Sequence, residues 1–190
     1  MNYLRICGGR FKGRKMSSFS GLAVRPTPEH VREALFNIIG QDLTGERVLD
    51  LFAGTGILGL ESISRGAQKA LFVDTLPQAL SLIRKNIDIL RIQDQTIILR
   101  HNLNRGLNPI FRIMPEFDLV FLDPPYNKNL AQPVLEQLDG DLGLSDGGLV
   151  IVEHFRTELA DVVFRSLVLE RRKPYGQTTI SIFKKVKDTL

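Results

Sequence analysis

From Arg47 to Glu153 the chain alternates short, nearly unbroken apolar runs with longer amphipathic stretches. The runs are 47–52 (RVLDLF), 69–74 (KALFVD), 96–100 (TIILR), 117–122 (FDLVFL) and 147–153 (GGLVIVE). Each has the length of a strand, and a strand apolar on both sides needs cover on both sides. The pattern therefore predicts a parallel sheet with helices near 57–65, 77–91 and 130–138 between its strands. Past residue 160 the alternation stops. Two strand-like stretches, 162–172 and 178–186, flank Lys173-Pro174-Tyr175-Gly176, which is hairpin chemistry. The expected fold is α/β: a doubly wound, Rossmann-like sheet, mostly parallel, with an antiparallel C-terminal edge. A chain of 190 residues, 43% of them hydrophobic, supplies one core without disulfides or a structural metal. A single cysteine, Cys7, makes no internal bridge, and no Cys/His cluster has zinc-ligand spacing, so no metal is expected. No apolar run reaches the ~18 residues of a membrane span, and the N-terminus lacks a signal-peptide stretch. We therefore expect a cytoplasmic monomer that avoids membranes.

Charge singles out the N-terminus. Residues 1–32 carry seven basic side chains and one acid, a balance of +6, whereas the remaining residues sum to −2. Strand-like residues 3–7, a Gly8-Gly9 turn and a second strand over 10–16 predict a small basic β-hairpin arm. In an extended arm Arg10, Lys12 and Arg14 share one face. With Lys15 and Arg25 they form a candidate RNA-binding set, since clustered cations attract polyanions by counterion release. The other reading of the same charge is a solvated basic strand. Glycines at 8, 9 and 13 favour the first, because they let backbone approach a phosphate. We place the arm at 1–24 and the main domain at 25–190. That domain opens with a helix capped by Thr27, with Pro28 at its first position. Its apolar stripe is Val31, Ala34, Leu35, Ile38 and Ile39, and Gly40 ends it.

The first apolar run leads into Asp50-Leu51-Phe52-Ala53-Gly54-Thr55-Gly56-Ile57-Leu58-Gly59. Gly54, Gly56 and Gly59 satisfy G-x-G-x-x-G, and Asp74 follows Gly54 by 20 residues at the end of the second run. That spacing matches a dinucleotide fingerprint. Asp50 argues for a different ligand: a carboxylate beside the turn repels a pyrophosphate and welcomes a cation. S-adenosylmethionine has an ammonium, a sulfonium and a ribose diol, and no phosphate. On this reading Asp50 sets the polarity near the methionine end and Asp74 accepts from the ribose hydroxyls. The backbone of Phe52, Ala53, Gly54, Thr55 and Gly56 closes on the cofactor.

The fourth run ends in Asp123-Pro124-Pro125-Tyr126. Consecutive prolines hold the backbone extended and keep the chain from entering a helix directly. The Asp123 carboxylate and the Pro124 carbonyl then offer two acceptors beside an aromatic ring. An exocyclic amine on a nucleobase is a poor nucleophile because its lone pair is delocalised into the ring. Two acceptors on its N–H groups favour a pyramidal nitrogen with the lone pair free to attack, while the Tyr126 ring stacks on the base. The candidate catalytic set is Asp123, Pro124 and Tyr126. His30 reads as a surface or capping side chain, and His154 has no partner that makes it a base. Arg171-Arg172-Lys173 reads equally as an extension of an RNA surface or as a charged guard on an edge strand.

LDLFAGTGILGLE (49–61) with DPPY (123–126) resembles the S-adenosylmethionine-dependent amino-group methyltransferases. RICGGRFKGRKM (5–16), RPTPEHVREALFNII (25–39) and YGQTTISIF (175–183) narrow the resemblance to the bacterial 16S rRNA guanine-N2 methyltransferase family. The resemblance implies transfer of a methyl group to the N2 amine of a guanine in 16S rRNA, on a partly or fully assembled small subunit. It places Asp50, Gly54 and Gly56 around the methionine part, Asp74 on the ribose, and Asp123, Pro124 and Tyr126 at the target base. Where the family usually has an acid near the adenine, this chain has Arg100-His101-Asn102-Leu103; Asn102, followed by Leu103, is the candidate contact there. DPPY alone is shared with adenine-N6 enzymes. An adenine-N6 methyltransferase of DNA or RNA, and a non-catalytic RNA-binding protein on the same scaffold, are the alternatives.

Overall fold

In the computed structural model the described residues are 4–19, 27–125, 128–140, 143–156, 158–159 and 163–187. Tyr126 and Arg25, both expected at functional positions, lie outside them. The chain divides into two compact units, Met1–His101 and Asn102–Leu190.

The first unit opens with a two-stranded antiparallel hairpin, β1 (Leu4–Arg5) and β2 (Lys15–Met16). Helix α1 (Glu29–Ile39) follows, then β3 (Arg47–Leu51), α2 (Ile57–Ser64), β4 (Lys69–Asp74), α3 (Pro77–Leu90) and β5 (Thr96–Arg100). β4 pairs in parallel with both β3 and β5. The continuous apolar runs read as covered strands are buried over Val48–Leu51 and Ala70–Val73. Pro77 starts α3, where its missing N–H costs nothing.

The second unit contains α4 (Asn108–Ile113), β6 (Glu116–Leu122), α5 (Ala131–Leu138), β7 (Gly143–Phe155), β8 (Leu167–Tyr175) and β9 (Thr178–Lys185). β6 and β7 are parallel, and β7–β9 and β9–β8 are antiparallel. The strand order is β5-β4-β3 in the first unit, all parallel, and β6-β7-β9-β8 in the second, which ends in the antiparallel C-terminal edge that the alternation predicts. Helix α4 was not expected; its six residues are too few to show a helical period. No helix among the described residues is long and apolar enough to cross a membrane, and no cluster of three metal-binding side chains occurs among them.

The N-terminal segment departs from the expected extended arm. Gly9–Phe11 form a 3₁₀ turn, and strand geometry is confined to Lys15–Met16. Arg10, Lys12 and Arg14 therefore do not alternate along one strand, although all three and Lys15 are exposed. Gly8 and Gly9 have a role in packing. A Cβ at Gly9 would stand 2.0 Å from the Ser64 carbonyl oxygen, and its φ is +72°. The Ser64 hydroxyl donates to the Gly8 carbonyl (2.6 Å) and accepts from the Phe11 N–H (3.0 Å). The segment thus lies flat on the end of α2, its apolar side chains Leu4, Ile6 and Met16 buried. Helix α1 begins one residue later than expected: Pro28, with ψ 148°, is its cap, and Glu29 is its first residue.

Glu61, fully buried in α2, anchors this packing. Its Oε1 accepts from the Cys7 N–H and the Cys7 thiol, both at 2.7 Å, and from Arg32 Nε at 3.5 Å; Oε2 accepts from Arg65 Nη1. Arg32 also donates to the carbonyls of Thr27 and Arg5, each at 2.6 Å, and the Arg65 guanidinium lies 4.0 Å over the Phe36 ring. Burial, helped by the adjacent carboxylate, pushes the Cys7 thiol up to about 11, so it remains a donor. Removing one member of such a buried group strands the others. Glu61→Ala should lower the free energy of unfolding by about 3–5 kcal/mol, measured by urea denaturation. A loss below about 1 kcal/mol, the size expected of an exposed pair, would show that the cluster does not hold the N-terminal segment.

Candidate active site

The first unit builds its site at the carboxyl ends of β3 and β4, where open α/β sheets bind ligands. After Leu51 the ladder continues through one more bond, Ala53 N–H to the Val73 carbonyl (3.1 Å), before the chain turns. Gly54 and Gly56 adopt left-handed φ values of +53° and +72°, and the Gly56 N–H closes the turn on the Ala53 carbonyl. Phe52 enters it with φ +56°, a conformation unfavourable for a residue with a side chain. Thr55 and Ala53 are buried, and Phe52 and Gly54 are half-buried. Gly59 permits the close approach of α2 to the sheet: a Cβ there would stand 2.4 Å from Phe72 Cε1.

Two carboxylates bracket the turn. Asp50 is only 2% exposed, and its Oδ2 accepts from the Gly59 N–H in the first turn of α2 (3.0 Å). Asp74, half-buried, ends β4; its Oδ2 accepts from the Gly54 N–H (2.9 Å) and its Oδ1 from the Leu76 N–H (2.9 Å). Each Asp74 oxygen retains a second lone pair for a ligand. Burial raises Asp50 to about 7, against the Gly59 N–H, which favours the charged form; the nearby Asp74 charge adds to the rise. A buried acid with no cation beside it is held part-protonated near neutral pH. A pair of carboxylates around a glycine turn has the chemistry to accept a positively charged ligand.

The second unit presents the other candidates. Asp123 follows β6 directly and is half-buried, Pro124 is buried and Pro125 exposed. The Leu122↔Val152 register of β6 and β7 puts this segment at the level of the carboxyl end of β7. Asn102 is exposed and caps a 3₁₀ turn over Leu103–Arg105, its Oδ1 accepting from the Asn104 N–H (3.0 Å); Leu103 is buried. His154 is buried at 1% exposure. Its Nδ1 meets the Phe155 carbonyl (2.9 Å) and its Nε2 the Ser181 hydroxyl (2.8 Å). Burial lowers its proton affinity. With Nδ1–H donating to the carbonyl, Nε2 accepts from Ser181, so the ring is a structural link between β7 and β9. The residues of the cluster Arg171-Arg172-Lys173 are all exposed on the edge strand β8, and Arg172 also donates to Ser181 Oγ (3.3 Å) and to the Leu159 carbonyl (2.6 Å).

Residues 4–184 match the family described as conserved hypothetical protein 95. Protein YlbH of Bacillus subtilis is 36% identical over 183 residues, spanning 96% of this chain and 99% of that protein. Ribosomal RNA small subunit methyltransferase D of Haemophilus influenzae is 34% identical over 152 residues, spanning 79% of this chain and 78% of its own. Among solved structures, the yhhF protein of Escherichia coli superposes with a TM-score of 0.82 at 27% identity, covering 97% of this chain and 99% of that one.

The state of Asp50 generates a stability prediction. The unfolded chain releases this proton near pH 4 and the folded protein near 7, so the residue's contribution to stability falls as pH rises between those values. Asp50→Asn keeps the acceptor for Gly59 and removes the titration. It should stabilise the cofactor-free protein at pH 8, by on the order of a few kcal/mol, and by about a third as much at pH 5. Equal shifts of the thermal midpoint at the two pH values would show that Asp50 is not held protonated by burial.

Proposed function

The chain belongs to the conserved hypothetical protein 95 family, and from that footing we propose that it is an S-adenosylmethionine-dependent methyltransferase acting on the N2 amine of a guanine in 16S rRNA. The observation that carries this reading is the pair of carboxylates around the glycine turn, one of them buried and raised to about 7. A pyrophosphate would meet like charge there, which disfavours a nicotinamide dinucleotide. A ligand with cationic groups draws Asp50 back to its ionised form. The relative from Haemophilus influenzae named as a small-subunit rRNA methyltransferase supports the substrate class.

In this reading Asp50 holds the cationic part of the cofactor, and the exposed lone pairs of Asp74 accept from the ribose diol. The turn from Phe52 to Gly56 lies against the ligand, and Asn102 and Leu103 border its adenine. When bound, S-adenosylmethionine supplies a methyl group activated by its sulfonium. The chain's own part is to orient the acceptor. Asp123 and the Pro124 carbonyl accept the two N–H groups of the guanine amine and aim its lone pair, and Tyr126 stacks on the base. A base must leave its stack to be held in this way, which favours a loop nucleotide over one in a regular duplex. Residues 1–24 form the RNA-facing segment, with Arg10, Lys12, Arg14, Lys15 and Arg25 on phosphates, and 25–190 form the methyl-transfer domain. The substrate is 16S rRNA within a small subunit, and the enzyme acts as a monomer in the cytoplasm.

Incubation of the protein with labelled cofactor and unmodified small subunits, followed by mass-spectrometric mapping, should locate the methyl on guanine N2. A methylated adenine, or no turnover on any rRNA, overturns the reading. Asp123→Ala should leave cofactor affinity nearly unchanged and slow methyl transfer by about a hundredfold or more, because orientation of the amine is lost. Parallel loss of both would move Asp123 from the acceptor to the cofactor. Lys12→Ala should flatten the salt dependence of RNA binding by about one unit or somewhat less. An unchanged slope removes Lys12 from the interface.

A further inference from the structure

We infer that Asn86 is a positioning residue that couples the N-terminal segment to the glycine turn, so that RNA and cofactor bind with positive linkage; this rests on the methyltransferase reading above. Helix α3 buries Ala79, Leu80, Ile83, Ile87 and Leu90, and Asn86 stands within that apolar stripe with no exposure at all. A carboxamide in such a place needs hydrogen bonds to offset its lost hydration. It finds them on two separate segments. Its Oδ1 accepts from the Ser17 N–H (2.8 Å), and its Nδ2 donates to the Ser17 carbonyl (3.1 Å) and to the Thr55 carbonyl (3.3 Å).

Ser17 is therefore held at both backbone groups, as a neighbouring strand would hold it. Thr55 is the central residue of the Gly54-Thr55-Gly56 turn. One side chain thus ties the segment carrying the exposed cations to the segment assigned to the cofactor. The tie lies along a continuous seam. Ser17 meets Asn86, Arg14 Nη2 donates to the Ile89 carbonyl (3.1 Å), and Arg10 bonds the Gln95 side chain, so residues 10–17 run antiparallel to the end of α3 and beyond it. Lys12, Arg14 and Lys15 lie two to five residues before Ser17. A phosphate held by those side chains restrains Ser17, and through Asn86 it restrains the Thr55 carbonyl. A turn already ordered by one ligand costs less to order for the other, and the coupling must act equally in both directions.

The test is a thermodynamic cycle on the full chain. S-adenosylhomocysteine is titrated by calorimetry with and without unmodified small subunits, and the subunits are titrated with and without S-adenosylhomocysteine. In the wild-type protein each ligand should tighten the other by about fivefold or more, the lower part of the usual coupling range, with one factor in both directions. Asn86→Asp keeps the acceptor and loses both donors, and it should bring the factor to near one while each ligand still binds. Ser17→Pro removes only the N–H that Asn86 accepts, at a half-buried position after an extended residue. It should also reduce the factor, and it decides the matter if the buried substitution does not fold. A purely structural role for Asn86 would lower stability and leave the factor unchanged. A wild-type factor of one with both ligands binding and methyl transfer occurring overturns the coupling and leaves the enzyme assignment standing. A folded variant with the wild-type factor overturns the coupling too. Failure of the wild-type protein to bind either ligand overturns the methyltransferase reading and the inference together.

Discussion

The Glu61 carboxylate, buried in α2 between the guanidiniums of Arg32 and Arg65, is the constraint on which the arrangement of the first unit depends. One acid facing two cations leaves a net positive charge in a place with almost no water. The carbonyls of Thr27 and Arg5 and the face of Phe36 take up the excess. Because Arg32 belongs to α1, Glu61 and Arg65 to the α2 region, and Cys7 and Arg5 to the N-terminal segment, satisfying that one acid fixes three parts of the chain together. Helix α2 is also the helix that follows the glycine turn. The scaffold that seats the basic segment is therefore the scaffold that shapes the candidate cofactor site.

Charge is handled in opposite ways at the two buried acids of this unit. Glu61 is surrounded by donors and cations, and its role is complete within the fold. Asp50 has the Gly59 N–H and a like-charged neighbour, Asp74, and its proton affinity rises accordingly. A carboxylate left short of positive charge at the carboxyl end of a parallel strand is a cost that a bound cation relieves. That contrast separates the acid satisfied within the fold from the candidate cofactor-binding one more clearly than burial, since both are almost fully inaccessible.

Much of this was legible in the sequence. The strands, the helices near 57–65, 77–91 and 130–138, and the C-terminal hairpin all correspond to observed elements. The glycine turn with Asp50 and Asp74 on either side of it also follows from spacing. The basic arm is the hairpin its sequence predicts, but its second strand is shorter than the 10–16 expected, and Gly8 and Gly9 are where the chain lies against Arg65 and Ser64. Glu61 and Asn86 left signals that periodicity reading passed over. Asn86 is a polar side chain inside an otherwise apolar stripe, Glu61 is a charged one in a helix buried on every side, and each proves to be a buried junction.

The sequence by itself determined the order of strands and helices, the positions of the turns and the presence of acids at strand ends. These follow from local periodicity and from the backbone limits of glycine and proline, which act over a few residues. Only the tertiary structure decided which polar groups meet. Cys7 and Glu61 are 54 residues apart and Ser17 and Asn86 are 69 apart, and no local rule joins them. Buried donors and acceptors must find partners wherever the packing of distant elements brings them. That requirement turned a basic tail into a fixed ledge along α3.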